Sequence, residues 1–356
     1  MHILGRSTTK EGECMKEKLQ MVKKIVPDLT DELIKRYRIL KTVKLLEPCG
    51  RRLVVLSLGM TERTVRSEIE KLNAQGLIKV SKTGMSVTED GMTVLEYLKP
   101  LFAELTGLSD LELRVKTLMG ARGVMLAQGD CDENHRTQKE MAQIGVRLLL
   151  DIMKRNSRIA ITGGTTMAAL VEAMPTASTH HAQIVLPARG SIGRKLELQA
   201  DTLAAKMAEK IGADYRMLHL PDNLSKNVLA EMRKEPEIAD TIQELKYIDI
   251  LLLGVGNALE MAEKRRLDDT VFQILKQKQA VAEACGYYFN HQGEVVYETN
   301  SIGVDFQEVH NIDHVIVSAG GKHKAASLLA LSKSMSNAVF IMDEGAAREM
   351  LRLAEL

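Results

Sequence analysis

Arg158-Ile159-Ala160-Ile161-Thr162-Gly163-Gly164-Thr165-Thr166 joins a short apolar run to a glycine turn and then to a threonine pair suited to opening a helix. Strand, turn and helix in that order make the repeating unit of a parallel sheet covered by helices. The same residues carry a chemical signal. Two glycines let the backbone approach a ligand closely. The unpaired N–H groups of a helix start, two hydroxyls and the helix dipole favour an anion such as phosphate. The spacing is neither Gly-x-x-x-x-Gly-Lys-Ser/Thr nor Gly-x-Gly-x-x-Gly, so it is not a nucleotide P-loop or a dinucleotide fingerprint. Taken alone, the stretch suits simple chain reversal as well as it suits ligand binding.

Strand and helix alternate around it from about residue 120 onward. Strands are predicted over 123–127, 157–161, 184–187, 215–220, 248–253, 314–318 and 338–342, and helices over 135–155, 165–174, 196–211, 226–244 and 322–333. Continuous apolar strands with helical crossovers predict an α/β domain with a doubly wound, Rossmann-like parallel sheet. Turns that follow parallel strands share one edge, so residues distant in sequence meet in one crevice. Arg189 in Pro187-Ala188-Arg189-Gly190 and Lys324 in Ala319-Gly320-Gly321-Lys322-His323-Lys324 are the cations best placed to meet an anion held at Gly164, Thr165 and Thr166. Arginine binds phosphate oxygens in pairs, and lysine supplies a point charge. Gly320-Gly321 before a helix is a second expected anion cradle. Leu253-Gly254-Val255-Gly256-Asn257 and Asp343-Glu344-Gly345 are further turns on that edge. Two cradles suggest a bisphosphate, or a phosphate with a polyol whose hydroxyls suit Gln199 and Glu283.

Upstream lies a different pattern. Residues 1–14 lack periodicity and are expected to fray, with Met15 an alternative start. A short helix is expected over 15–26, stopped near Pro27, and a second one capped by Thr30 or Asp31. Arg51–Leu58, a turn at Leu58-Gly59-Met60 and a helix capped by Thr61 and closed at Gly76 read as a helix-turn-helix. The second helix presents Arg63, Thr64, Arg66 and Ser67 near its start, where a recognition helix meets bases and phosphates. Arg51 and Arg52 begin the first helix. A hairpin around Lys82-Thr83-Gly84 reads as a wing, with Lys79 and Lys82 near backbone phosphates. Winged-helix domains that bind only protein share this outline. Residues 1–90 hold 18 Lys/Arg against 12 Asp/Glu, and the remaining 266 hold 30 against 35, so a basic segment precedes an acidic one. Residues 91–119 read as a helical linker broken by Pro100 and Gly107, whose Leu98, Leu101, Leu105 and Leu108 suit either self-association or packing on their own domain. The domains expected are 15–90 for DNA binding, 91–119 as linker and 120–356 for effector binding.

Composition narrows the classes. No Trp and few aromatics make base stacking an improbable binding mode. No apolar run spans a membrane, and the four cysteines lack a Cys-x-x-Cys pair, which predicts a reduced cytoplasmic chain without a metal site.

Together with the helix-turn-helix, Ile-Thr-Gly-Gly-Thr-Thr at 161–166, Pro-Ala-Arg-Gly at 187–190, Gln-Ala-Asp at 199–201, Gly-Val-Gly-Asn at 254–257 and Ala-Gly-Gly-Lys-His-Lys at 319–324 resemble a SorC-type sugar-responsive transcriptional regulator. Pro48–Arg52, Ala282–Asn290 and Met342–Ala347 are similar to the branch that governs glycolytic genes in Gram-positive bacteria. The resemblance covers nearly all of the chain beyond residue 15. It implies a repressor acting on operator DNA as a homodimer or homotetramer. Fructose 1,6-bisphosphate is the implied effector, held in a domain similar to sugar-phosphate isomerases, with no cofactor. It implies Gly164, Thr165 and Thr166 around one phosphate, with Arg189 and Lys324 nearby. Gln199 and Glu283 would line the sugar, joined by Arg265 from Met261–Arg266, and Cys285 is read as packing. The competing expectation is an active sugar-phosphate isomerase or deaminase fused to a DNA-binding domain. That chemistry needs an acid and a base at the reacting carbon. Related deaminases place Asp-Gly-His after the strand that matches 248–253, where this chain has Asn257-Ala258-Leu259, so no catalytic residue is expected.

Overall fold

Seven strands form one parallel sheet: β3 (Gly123–Ala127), β4 (Arg158–Ile161), β5 (Ile184–Pro187), β6 (Asp214–Tyr215), β7 (Ile250–Leu253), β12 (His314–Ser318) and β13 (Ala338–Asp343), in the order β3-β13-β12-β7-β4-β5-β6. The computed structural model describes residues 21–22, 24–176, 183–190, 195–221 and 224–355. The expected fraying over 1–14 and most of the expected helix over 15–26 lie outside the described residues.

All six strand pairings are parallel. From β4 the chain steps outward through β5 to β6, and from β7 it steps the other way through β12 to β13. The reversal between β4 and β7 opens a crevice beyond their carboxyl ends, as expected of a doubly wound sheet. Their apolar runs are explained by burial: Ile159, Ala160, Ile161, Ile250, Leu251, Leu252 and Leu253 are fully inaccessible. Ile161, Val185, Leu252 and Ile316 share a core with Met141, Leu149, Met167, Leu170, Leu203 and Met207 of the crossover helices.

Four strands had not been anticipated. β8 (Gly256–Asn257), β9 (Ala280–Ala284), β10 (Tyr287–Asn290) and β11 (Val295–Glu298) form an antiparallel sheet in the order β11-β10-β9-β8. Helices Ala258–Lys264 and Asp269–Gln277 close over it around Ala262, Leu275 and Tyr288. The expected strand over 215–220 shrinks to β6, because Leu218 turns its N–H to the buried Asp201 carboxylate at 2.7 Å instead of extending the ladder.

The chain divides into two compact units, residues up to Asp110 and from Leu111 onward. In the first, helices Pro27–Leu46, Arg51–Leu58 and Glu62–Ala74 precede a hairpin of β1 (Ile78–Ser81) and β2 (Gly84–Val87), the order of a winged helix. Helical backbone at Met21, Val22, Lys24 and Ile25 breaks at Val26, so the first helix stops near Pro27 as expected. Pro27 itself opens the second, since at a first helical position its missing N–H costs nothing. Thr30 and Asp31 lie inside that helix rather than capping it. Thr61 caps the helix Glu62–Ala74, accepting from the Thr64 N–H at 3.2 Å. The linker expectation divides too. The helix Glu89–Leu105 runs through Pro100, which is exposed and so leaves the carbonyl it cannot pair to water. Leu95 of that helix is buried among Ile39, Val65 and Ile78 of the N-terminal core. Leu98, Leu101, Leu105 and Leu108 are half-buried.

Candidate effector site

Beyond the carboxyl ends of β4 and β7 lies a cavity of about 650 Å³. Gly164, Thr165, Thr166, Arg189, Gln199, Arg265, Glu283 and Lys324, the eight residues singled out in the sequence, all stand on its wall. The glycine turn is shaped for close approach. A Cβ on Gly163 would lie 2.5 Å from the Leu198 carbonyl, and the Gly164 N–H donates to that carbonyl at 2.9 Å. Thr165 then opens the helix Thr165–Ala173, and the N–H groups of Thr165 and Thr166 meet no acceptor among the described residues. Next to the turn, the Thr162 hydroxyl accepts from the Gly254 N–H at 3.3 Å, tying the ends of β4 and β7 together.

Arg189, Arg265 and Glu283 form a buried cluster. Arg265 Nη2 donates to Glu283 Oε1 at 2.7 Å, and Arg189 Nη1 lies 3.5 Å from the same oxygen. Arg265 Nη1 also donates to the Tyr288 hydroxyl at 3.1 Å, and Arg189 Nη2 to the Thr299 hydroxyl at 2.9 Å. Burial alone would raise the Glu283 carboxyl. The Arg265 and Arg189 guanidiniums and the Gly286 N–H, which donates at 2.6 Å, more than offset it and hold the group below the ordinary carboxylate range. Burial pushes the Tyr288 hydroxyl up to about 12, so it stays a neutral donor and acceptor. Two guanidiniums against one carboxylate leave a net positive charge. Glu283 Oε2 meets no donor among the described residues.

The second expected cradle differs from the first. The Gly321 N–H donates to Asp343 Oδ2 at 2.7 Å, and the His323 N–H to Asp132 Oδ2 at 3.3 Å. Carboxylates of the chain already satisfy the donors that the sequence had left open for an anion. Lys324 follows with its Nζ 3.7 Å from Glu260, and burial lowers its ammonium below the ordinary lysine range. Lys195, Lys264, Asp132 and Gln138 also line the cavity. Sequence reasoning had passed over them, although Asp132 follows a parallel strand on the correct edge and Lys264 adjoins Arg265. Cys285, expected only to pack, stands on the cavity wall with φ of 50°. Asn257, where deaminases carry their acid, caps the helix Ala258–Lys264 by accepting from the Leu259 and Glu260 N–H groups.

In the N-terminal unit Arg51, Arg52, Arg63, Arg66, Ser67, Lys79 and Lys82 are exposed. Arg66 pairs with Glu70 at 3.0 Å, and the Thr64 hydroxyl is bonded to that of Thr61, so Thr64 serves the cap. Below them Glu68, 3% exposed, binds Arg36 at 2.8 Å and Lys71 at 2.7 Å, fixing the helix Glu62–Ala74 against the helix Pro27–Leu46.

Comparison with known proteins agrees with both halves. Residues 33–102 match the CggR N-terminal DNA-binding domain, and residues 103–352 match a sugar-binding domain family. The chain is 37% identical over 339 residues to the central glycolytic genes regulator of Priestia megaterium, covering 95% of this chain and 99% of that one. The Bacillus subtilis protein of the same name is 35% identical with the same coverage. A SorC family transcriptional regulator of Enterococcus faecalis superposes with a TM-score of 0.64 at 33% identity, over 68% of this chain and 99% of that one. The full-length sorbitol operon regulator of Klebsiella pneumoniae shares the fold over 92% of this chain and 99% of its own, with a TM-score of 0.63 at 15% identity. These relatives are transcriptional regulators, not enzymes. The chain belongs to the SorC-type sugar-binding transcriptional regulators, in the family of the central glycolytic genes regulator.

Proposed function

We propose that the chain represses a glycolytic operon as a homodimer or homotetramer and leaves its operator when fructose 1,6-bisphosphate fills the cavity. One observation carries the reading: a single cavity joins an open helix start at Thr165–Thr166 to a buried cluster of net positive charge and to Lys324. Such a wall suits an anion at each end of a polyhydroxylated molecule. Gly164, Thr165 and Thr166 hold one phosphate. Gln199 and Glu283 Oε2 take sugar hydroxyls. Arg189, Arg265 and Lys324 supply positive charge. In the N-terminal unit Arg63, Arg66 and Ser67 meet the major groove, while Arg51, Arg52, Lys79 and Lys82 contact phosphates and Thr64 orients the helix start.

The test is titration of a fluorescent operator duplex with the full chain at two salt concentrations, with and without the bisphosphate. Binding that weakens steeply with salt and is further weakened by the sugar is expected. Operator affinity that ignores the sugar refutes the effector assignment. Turnover of fructose phosphates or glucosamine 6-phosphate would instead favour the enzyme reading.

A further inference from the structure

Arg189 is held at both ends of its length. Its backbone follows β5, where the Gly190 N–H donates to the Ile302 carbonyl at 3.1 Å and the Val304 N–H donates to the Ala188 carbonyl at 2.8 Å. Arg189 itself is bridged antiparallel to Gly303. A Cβ on Gly303 would lie 2.5 Å from the Ala188 carbonyl oxygen and 2.7 Å from Arg189 Cβ, so the missing side chain lets the two segments close on each other. Residues 299–304 thus run as a strap beside the arginine, and Thr299 reaches its guanidinium. Thr299 is 3% exposed. Its N–H donates to the Gly286 carbonyl at 3.0 Å, and its hydroxyl donates to the same carbonyl at 3.3 Å. With its one proton committed there, the hydroxyl meets Arg189 Nη2 as an acceptor, at 2.9 Å. Glu283 does less to aim Arg189. Its Oε1 accepts from Arg265 Nη2 at 2.7 Å and from the Gly286 N–H at 2.6 Å, whereas Arg189 Nη1 stands 3.5 Å away. The carboxylate therefore belongs chiefly to Arg265, and Arg189 leans on Thr299.

We propose that Thr299 is the positioning residue for Arg189, turning its guanidinium toward the second phosphate of the ligand and so making the cavity selective for bisphosphates. The proposal rests on the reading of this cavity as a sugar-phosphate site. A guanidinium binds phosphate oxygens best in pairs, so its plane must be fixed as well as its distance. Without the Thr299 hydroxyl, the nearest acceptor left to Arg189 is Glu283 Oε1. The guanidinium then swings onto that carboxylate, and the charge it offered the ligand is neutralised within the protein. A sugar with one phosphate, seated at Thr165–Thr166, presents a neutral hydroxyl where the second phosphate would stand, and a hydroxyl gains little from a charged, paired donor. Thr299 touches no ligand in this account and acts through Arg189.

Calorimetry of the full chain with fructose 1,6-bisphosphate and fructose 6-phosphate tests this. Thr299→Val keeps the bulk and removes the hydroxyl, and Thr299→Ala removes both. Each should weaken bisphosphate binding about tenfold, the worth of one hydrogen bond to a charged group, and leave monophosphate binding within about twofold of wild type. Thr299→Ser, which keeps the hydroxyl, should bind both sugars as wild type does. In an Arg189→Met chain the further change Thr299→Val should weaken bisphosphate binding no more, because the group it positions is gone. Equal loss for both sugars, or an undiminished loss in the Arg189→Met chain, makes Thr299 merely structural and overturns the proposal. So does unchanged bisphosphate binding in Thr299→Val and Thr299→Ala. A wild-type chain that binds neither sugar overturns the reading of the cavity itself.

Discussion

Lys324 is the cavity cation whose charge answers most directly to an occupant. Burial depresses its pKa, with Glu260 pulling the other way. A phosphate beside it favours the charged form, so the bound pKa lies above the unbound one. Binding then takes up a proton wherever the pH falls between the two values. Affinity is full below the unbound pKa and declines as pH rises through the bound one. Calorimetry at alkaline pH in two buffers of different ionisation enthalpy should reveal this uptake in wild type and not in Lys324→Met. Identical enthalpies in both buffers for the wild type would remove Lys324 from the ligand. Gly286 makes a second residue-scale case. Its φ is 85°, and a Cβ would lie 2.1 Å from Arg189 Nη1. Gly286→Ala should drive Arg189 off Glu283, cost about 1–3 kcal/mol of stability and weaken sugar binding. Thermal unfolding with unchanged Tm and unchanged sugar affinity would show that the arginine's position is incidental. Arg189, Lys324 and the threonines were legible as single residues because each lies at a strand end. The partnership of Glu283 with two arginines was not, because it joins three separate stretches, and neither was the loss of the Gly321 donor to Asp343.

At the scale of elements, local rules explain what could be read. The helix Glu62–Ala74 announces itself through Thr61, the spacing of Val65, Ile69 and Leu72, and Gly76, whose φ of 74° ends the segment. Thr61→Ala should cost this unit about 1 kcal/mol, the worth of an N-cap, and weaken operator binding by loosening the start of the recognition helix. Scanning calorimetry and the duplex titration check it, and an unshifted unfolding transition would mean that the Thr61–Thr64 contacts are replaced without loss by water. The parallel strands were legible from their apolar runs, which burial on both faces demands. The β9–β10 hairpin escaped for equally physical reasons. Its two-residue turn, Cys285-Gly286, has positive φ at both positions, a geometry usually announced by Asn-Gly or Asp-Gly. Its first strand, Ala-Val-Ala-Glu-Ala, is alanine-rich with a charge inside, and only the arginines that compensate Glu283 make it a buried strand.

For the whole molecule the issue is how sugar occupancy reaches DNA. No path between the two units is needed to state the thermodynamics. If the bisphosphate lowers operator affinity by some factor, operator DNA lowers bisphosphate affinity by the same factor. Repression that responds over a physiological range asks for a coupling of about 1–3 kcal/mol, or roughly 5- to 150-fold. A ligand shifts an equilibrium only as far as it binds the two states differently. In this molecule Lys324, half-buried on the cavity wall beside Glu260, is a cation that a bound phosphate would engage. Lys324→Met should therefore leave operator affinity intact in the absence of sugar and blunt release by the bisphosphate. Two titrations measure it for wild type and Lys324→Met: bisphosphate into the full chain with and without saturating operator, and operator into the full chain with and without saturating bisphosphate. In each protein the two factors must agree, and at one bisphosphate concentration the variant should keep more operator bound. A variant released from operator as readily as wild type would remove Lys324 from the site and place the coupling elsewhere on the cavity wall.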